Sequence, residues 1–126
     1  VSKQRFIQPG TARLDLSDGD WIEVKVELDY GEQQQLRIAS MQPLAIERDM
    51  SLEDMQIQLN PFLLRQTLIE LYLVDWSFRD ADDRPVPLNR TTLLSLDPET
   101  VDEMEAAINA HAAAVTSAKN ARGASR

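Results

Sequence analysis

The chain has no cysteine, a single histidine and only four glycines, and each scarcity removes a class of chemistry. Without cysteine there is no disulfide, no thiolate metal site and no cysteine nucleophile. With glycine confined to Gly10, Gly19, Gly31 and Gly123, there is no glycine-rich loop to cradle a phosphate and no Gly-x-Ser-x-Gly nucleophile turn. Aromatic residues make up only 6% of the chain, so aliphatic side chains must fill most of any core. Basic residues are outnumbered, 13 Lys and Arg against 21 Asp and Glu, for a formal net charge of −8. That balance disfavours DNA, RNA and anionic membranes as partners, since each requires a basic patch. No apolar run approaches the roughly 18–20 residues that span a bilayer. The opening Val1-Ser2-Lys3-Gln4-Arg5 leads into no long apolar stretch, so no signal peptide is expected. The cysteine-free composition suits a reducing cytoplasm.

What is present is enough for one core: 126 residues, 43% of them hydrophobic, in the size range of a single domain. Residues 1–10 read as a basic arm ending at the turn pair Pro9-Gly10. Ala12 to Leu16 alternates as a strand. Ser17-Asp18-Gly19-Asp20 then supplies the Asp-Gly signal of a hairpin. From Trp21 to Leu28 the alternation places Ile22, Val24, Val26 and Leu28 on one face and Trp21, Glu23, Lys25 and Glu27 on the other. Asp29 with Glu32 three residues on predicts a capped helix over 30–41, ended by Pro43. Met55 to Leu59 alternates and reads as a third short strand. Asn60-Pro61 opens a helix that is apolar nearly all round from Phe62 to Val74, the pattern of a buried central helix. Trp76-Ser77-Phe78 and Pro85-Val86-Pro87 flank an Asp-rich turn, as a small hairpin or a loop with strand-like arms. Asn89 predicts the cap of a short helix through Leu96. Asp97-Pro98 opens a last helix with Val101, Met104, Ile108, Ala112 and Val115 along one side. Its first half is acidic and its end basic, as the helix dipole prefers. From about Ala118 the small, polar composition predicts fraying.

The fold class expected is therefore α+β: an N-terminal β-hairpin with short strands packed on a buried central helix, followed by a C-terminal amphipathic acidic helix. The domain organisation expected is a basic arm over 1–10, one domain over 11–117 and a frayed tail over 118–126.

Groups able to do chemistry are few. His111 has no second His or Cys to share a metal and only alanines beside it, so it reads as a helix-surface residue near a C-terminus. Asp80, Asp82 and Asp83 suggest a calcium loop, but an EF-hand numbered from Asp80 needs Gly where Pro85 stands and Glu where Thr91 stands. An Asp-rich turn held by side-chain to backbone hydrogen bonds is the simpler account, there and at Asp15, Asp18 and Asp20. Asp102 and Glu105 form a carboxylate pair on the last helix without the aromatics of a sugar-binding cleft, and read as a solvated acidic face. Trp21 lies on the charged face of its strand. It either packs beneath a loop at the strand end or serves as an exposed anchor for a partner, a role in which tryptophan is enriched. The reading is of a protein-binding molecule and not an enzyme, with no catalytic residues, cofactor, metal or small-molecule substrate. Its candidate partner-binding residues are Trp21, Asp102 and Glu105.

Three stretches carry a resemblance. They are Leu14-Asp15-Leu16-Ser17-Asp18-Gly19-Asp20-Trp21-Ile22-Glu23-Val24-Lys25, then Tyr30-Gly31-Glu32-Gln33, then Tyr72-Leu73-Val74-Asp75-Trp76-Ser77-Phe78-Arg79-Asp80 running on through Pro85-Val86-Pro87-Leu88. Over roughly residues 12–111 this order resembles small proteins of tailed-phage structural operons, and most nearly the tail assembly chaperones of siphophages. The resemblance implies binding to the long tape measure protein, keeping it soluble in the host cytoplasm until tail-tube subunits polymerise around it. It also implies homo-oligomers and departure before the tail is complete. The alternative within the same resemblance is a permanent minor virion subunit of the neck, tail terminus or baseplate.

Overall fold

The computed structural model describes residues 5–41 and 61–124. Within them the fold is α+β. Two strands, β1 (Thr11–Asp15) and β2 (Trp21–Lys25), precede helix α1 (Tyr30–Met41). Helix α2 (Pro61–Tyr72) runs directly into strand β3 (Leu73–Trp76). A short helix α3 (Arg90–Leu94) and a long helix α4 (Pro98–Ala124) complete the described chain. The three strands form one antiparallel sheet in the order β1-β2-β3. Packing sorts the chain into two compact units, Val1–Glu27 with Tyr72–Arg126, and Leu28–Leu71.

The hairpin forms for the reason its sequence suggests. Asp18 (φ 59°, ψ 25°) and Gly19 (φ 80°) both adopt left-handed backbone conformations. Aspartate and glycine tolerate those conformations, and two in succession give the turn whose twist matches a hairpin. The Asp20 N–H donates to the Ser17 carbonyl at 3.2 Å, and the Leu16 N–H to the Asp20 carbonyl at 2.8 Å. The register pairs Leu14 with Ile22 and Ala12 with Val24. Ile22 and Val24 are fully buried, while Trp21, Glu23 and Lys25 on the other face are half-buried.

Helix α4 packs along β1. Its inward side holds Met104 and Ile108, both fully buried, between half-buried Val101 and Val115. Four wholly buried aliphatic or thioether side chains (Ile22, Val24, Met104 and Ile108) thus sit at the centre of this unit, each worth about 1.5–3 kcal/mol on burial. Trp76 joins them at the sheet edge, buried, with its Nε1–H donating to the Val86 carbonyl at 2.7 Å.

Three helix starts are built by side chains. The Asp29 carboxylate accepts from the Glu32 N–H (2.8 Å) while Glu32 reaches back to the Asp29 N–H (3.1 Å), a reciprocal capping box. Asn89 and Thr92 make the same exchange at 3.0 Å in each direction. Asp97 accepts from the Glu99 N–H (2.8 Å), the Thr100 N–H (3.2 Å) and the Thr100 hydroxyl (2.8 Å), with Pro98 following as the first helical residue. The Thr100 hydroxyl, then the Thr100 and Glu99 N–H groups, hold the Asp97 carboxyl below the usual aspartate value, against an opposing desolvation effect.

Several elements differ from the sequence reading. The helix expected through Val74 ends at Tyr72, and Leu73 and Val74 open β3 instead. Leu73 pairs with Val24 and Trp76 with Ile22, so sheet pairing and burial of Leu73 and Trp76 outweigh the helical pattern that continues through them. A register shift opposite Glu23 and Val24 accommodates Val74, which points to solvent. Helix α2 is also apolar without being enclosed: Ile69 and Tyr72 are buried, Leu63, Leu68 and Leu71 half-buried, and Leu64 exposed. The last helix runs past Ala118 to Ala124, as its alanines and basic residues favour, and Lys119 is tied to Glu27. Helix α3 ends at Leu94, short of the expected Leu96. The strand expected over 55–59 and the residues that would end α1 lie outside the described residues.

Ile108→Ala is expected to lower unfolding free energy by about 2–5 kcal/mol, read from urea denaturation. Asp97→Ala is expected to lower the melting temperature at neutral pH. Because the folded pKa of Asp97 is depressed, its contribution is complete above the unfolded value of about 3.9 and disappears as pH falls through the lower folded value. The melting difference between wild type and Asp97→Ala should therefore shrink on acidification through that window.

Candidate functional site

The sheet has two unlike faces. Alternation along β1 and β2 turns Ala12, Leu14, Ile22 and Val24 toward the core. Thr11, Arg13, Asp15, Trp21, Glu23 and Lys25 lie on the outer face. There the Arg13 guanidinium carbon lies 3.8 Å from the centroid of the Trp21 ring, a cation–π contact between diagonal neighbours on adjacent strands. Trp21 is held from behind as well. Its N–H donates to the Ser77 hydroxyl at 2.9 Å, that hydroxyl donates to the Asp20 carboxylate at 2.9 Å, and the Ser77 N–H donates to the Trp21 carbonyl at 3.0 Å. The Trp21 backbone is thus tied to Ser77, and the residue is half-buried with Arg13 over the ring.

Asp102 is exposed and Glu105 half-buried on α4. The structure does not bring them together with Trp21, because α4 packs on the aliphatic side of the hairpin while Trp21 alternates to the other side. The three candidates therefore belong to two surfaces.

The polar residues that matter most to this unit are ones the sequence reading passed over. The Glu103 carboxylate accepts from both the Ser17 N–H (2.8 Å) and the Ser17 hydroxyl (3.0 Å), binding the hairpin tip to the first turns of α4. Eight residues on, the Nε2 of His111 lies 3.1 Å from the Lys25 carbonyl and 2.9 Å from the Val26 carbonyl. Only a donor can face two carbonyls, so this nitrogen carries a proton. The ring also meets Tyr72 edge-on at 6.2 Å between centroids. Eight residues further, Lys119 pairs with Glu27. His111 is thus not the plain surface residue expected. It continues the stripe Val101, Met104, Ile108, Val115 at alternating spacings of three and four, and that spacing was the available signal.

The Asp-rich turn is held by its own backbone. Asp80 accepts from the N–H groups of Asp82 (2.9 Å) and Arg84 (3.0 Å), Arg84 pairs with Asp80 and Asp82, and Asp83 takes a left-handed φ of 58°. Arg79 pairs across to Pro85, and the Val86 N–H donates to the Phe78 carbonyl, closing a narrow hairpin. Among the described residues no group of three or more His, Asp or Glu side chains is placed to hold a metal ion. No helix among them is long and apolar enough to cross a membrane.

No family model, curated protein or solved structure matches this chain.

Two of the motif stretches singled out in the sequence meet within the larger unit, and the third caps its own helix. Asp20 and Trp21 of the first stretch bond directly to Ser77 of the third, and Glu32 of the second makes the cap of α1. These are positions that make the fold. Ser77→Ala removes the acceptor for the Trp21 N–H and the donor to Asp20, and is expected to cost about 1–3 kcal/mol. Thermal melting should show the loss. His111→Leu, which leaves the Lys25 and Val26 carbonyls without this donor, is expected to cost a similar amount by the same measurement.

Proposed function

We propose that this chain is an assembly factor for phage tails, a chaperone that binds the tape measure protein and keeps it soluble in the host cytoplasm. The observation that carries the proposal is the exposed side of α1. Tyr30, Ile38 and Met41 are 79%, 63% and 68% exposed. At about 100° per residue they fall within an arc of about 80°, opposite buried Ala39. Among the described residues nothing covers this stripe, and an apolar helical client could lay its own stripe against it. Methionine suits a surface that must accommodate an imprecise apolar match. The net charge of −8 would keep a complex with an aggregation-prone partner soluble and favour clients with basic flanks. The client named here, the tape measure protein, rests on the resemblance of the three motif stretches to tail assembly chaperones.

Co-expression is expected to keep a tape measure fragment in the soluble fraction. The paired variant Ile38→Asp with Met41→Asp should lose that effect while melting normally, because both side chains are already in water. A fragment that pellets equally with and without this protein would remove the chaperone reading. Presence of the protein at fixed copy number in mature particles would favour a permanent virion subunit instead.

A further inference from the structure

We infer that β1 pairs with β1 of a second copy of this chain, joining two three-stranded sheets into one six-stranded sheet across a two-fold axis at Leu14. The inference is independent of the proposed function and starts from the hydrogen-bond parity of the hairpin. The Val26 N–H donates to the Gly10 carbonyl and the Leu16 N–H to the Asp20 carbonyl. In this register the even-numbered residues of β1 therefore bond to β2. The N–H and C=O groups of Thr11, Arg13 and Asp15 point the other way, along the edge that no other strand among the described residues pairs with, and their side chains are exposed.

Edge strands normally carry a feature that blocks further pairing: a proline, a lysine, a bulge or a cover. The opposite edge strand, β3, has a register shift at Val74 and is followed by Pro85 and Pro87. Within β1, Thr-Ala-Arg-Leu-Asp, there is no proline, lysine or bulge; Pro9 stands two residues before it, and the strand's two charges are of opposite sign. What it contains is an opposite-charge pair two residues apart. An antiparallel copy centred on Leu14 places Arg13 opposite the second copy's Asp15, and Asp15 opposite its Arg13. Both are outward-pointing pairs, so each exchanges two backbone hydrogen bonds while its side chains form an ion pair. Shifting the centre to Arg13 would set two arginines face to face. Charge thus selects one register, and in it Leu14 meets Leu14 in the close, non-hydrogen-bonded position on the aliphatic face. The −8 charge of each copy opposes association at long range, but that repulsion is screened within about 8 Å at physiological salt, beyond the reach of the ion pairs.

The full chain at physiological salt is expected to show twice the monomer mass by light scattering, with dissociation on dilution. Arg13→Asp and Asp15→Arg should each return the mass to that of a monomer, since each creates a like-charge pair across the axis. The double variant R13D/D15R should restore the dimer, because it re-forms both pairs with their signs exchanged. Far-ultraviolet circular dichroism checks that each variant is folded. The chain has no cysteine, so Leu14→Cys gives a clean second reading that does not depend on charge. Close antiparallel pairs lie within disulfide reach, so mild oxidation should yield a covalent dimer, and Thr11→Cys should not. A wild type that remains monomeric at the highest soluble concentration would overturn the inference. So would a folded double variant that stays monomeric, single variants that dimerise like wild type, or Leu14→Cys that cross-links no better than Thr11→Cys.

Discussion

The alignment of helix α4 with strand β2 is the constraint on which the larger unit depends. Aliphatic packing alone would press Met104 and Ile108 onto the sheet but would let the helix slide along it. Three polar ties remove that freedom. Glu103 holds Ser17 before the strand, His111 holds the carbonyls of Lys25 and Val26 at its end, and Lys119 holds Glu27 just beyond. The helical residues are spaced by eight, about 12 Å of rise each, and their partners follow in the same chain direction. Helix and strand therefore run side by side, and the buried methionine and isoleucine have one seating. Each tie is worth little in water; its value is in fixing the register of a contact whose energy comes from apolar burial.

That arrangement gives a physical meaning to the motif positions. Gly19 allows the turn that presents Ser17 to Glu103. Asp20 and Ser77 lock Trp21 to the strand that follows α2, and Val86 accepts the Trp76 indole proton. A chain lacking any of these would lose an alignment, not a reaction. These positions therefore build the fold and carry no chemistry of their own. The functional proposal needs a surface of its own, and the exposed stripe on α1 provides one.

Much of the fold was legible in the residues because local rules and tertiary packing agree there. The hairpin, the capping box at Asp29, the start of α4 and the stripe through Met104 and Ile108 all follow from spacing and turn chemistry. Legibility failed where a local pattern and a long-range partner conflict. Leu73 and Val74 continue a helical apolar run, yet the open side of β2 captures them as a strand, which no window of neighbouring residues reveals. His111 was set aside for lack of polar neighbours in sequence, whereas its partners are carbonyls some 85 residues earlier. Of the candidate site, Trp21 was correctly placed on the outer face, but its cover, Arg13, belongs to the neighbouring strand. Asp102 and Glu105 were visible as an acidic surface, and nothing in their spacing could show that the helix lies across the other face.

The distribution of apolar surface follows from how the inner face is filled. Met104 and Ile108 occupy the aliphatic side of the hairpin, so Ile22 and Val24 have no capacity left for a partner. The outer face is charged, and its one large aromatic is already engaged by Arg13. Among the described residues, what the larger unit still offers is backbone: a short edge of β1 whose outward groups are satisfied equally well by water or by another strand. Association at such an edge gains little from burial and depends on register, which is why the order of one arginine and one aspartate outweighs the apolar content of β1. The exposed side of α1 has the opposite character. It offers apolar area with no backbone groups and no fixed register, and it would tolerate partners that vary in sequence. Under the two proposals, strict recognition of a second copy would fall to the edge and loose recognition of a client to α1, since one surface could not be optimised for both.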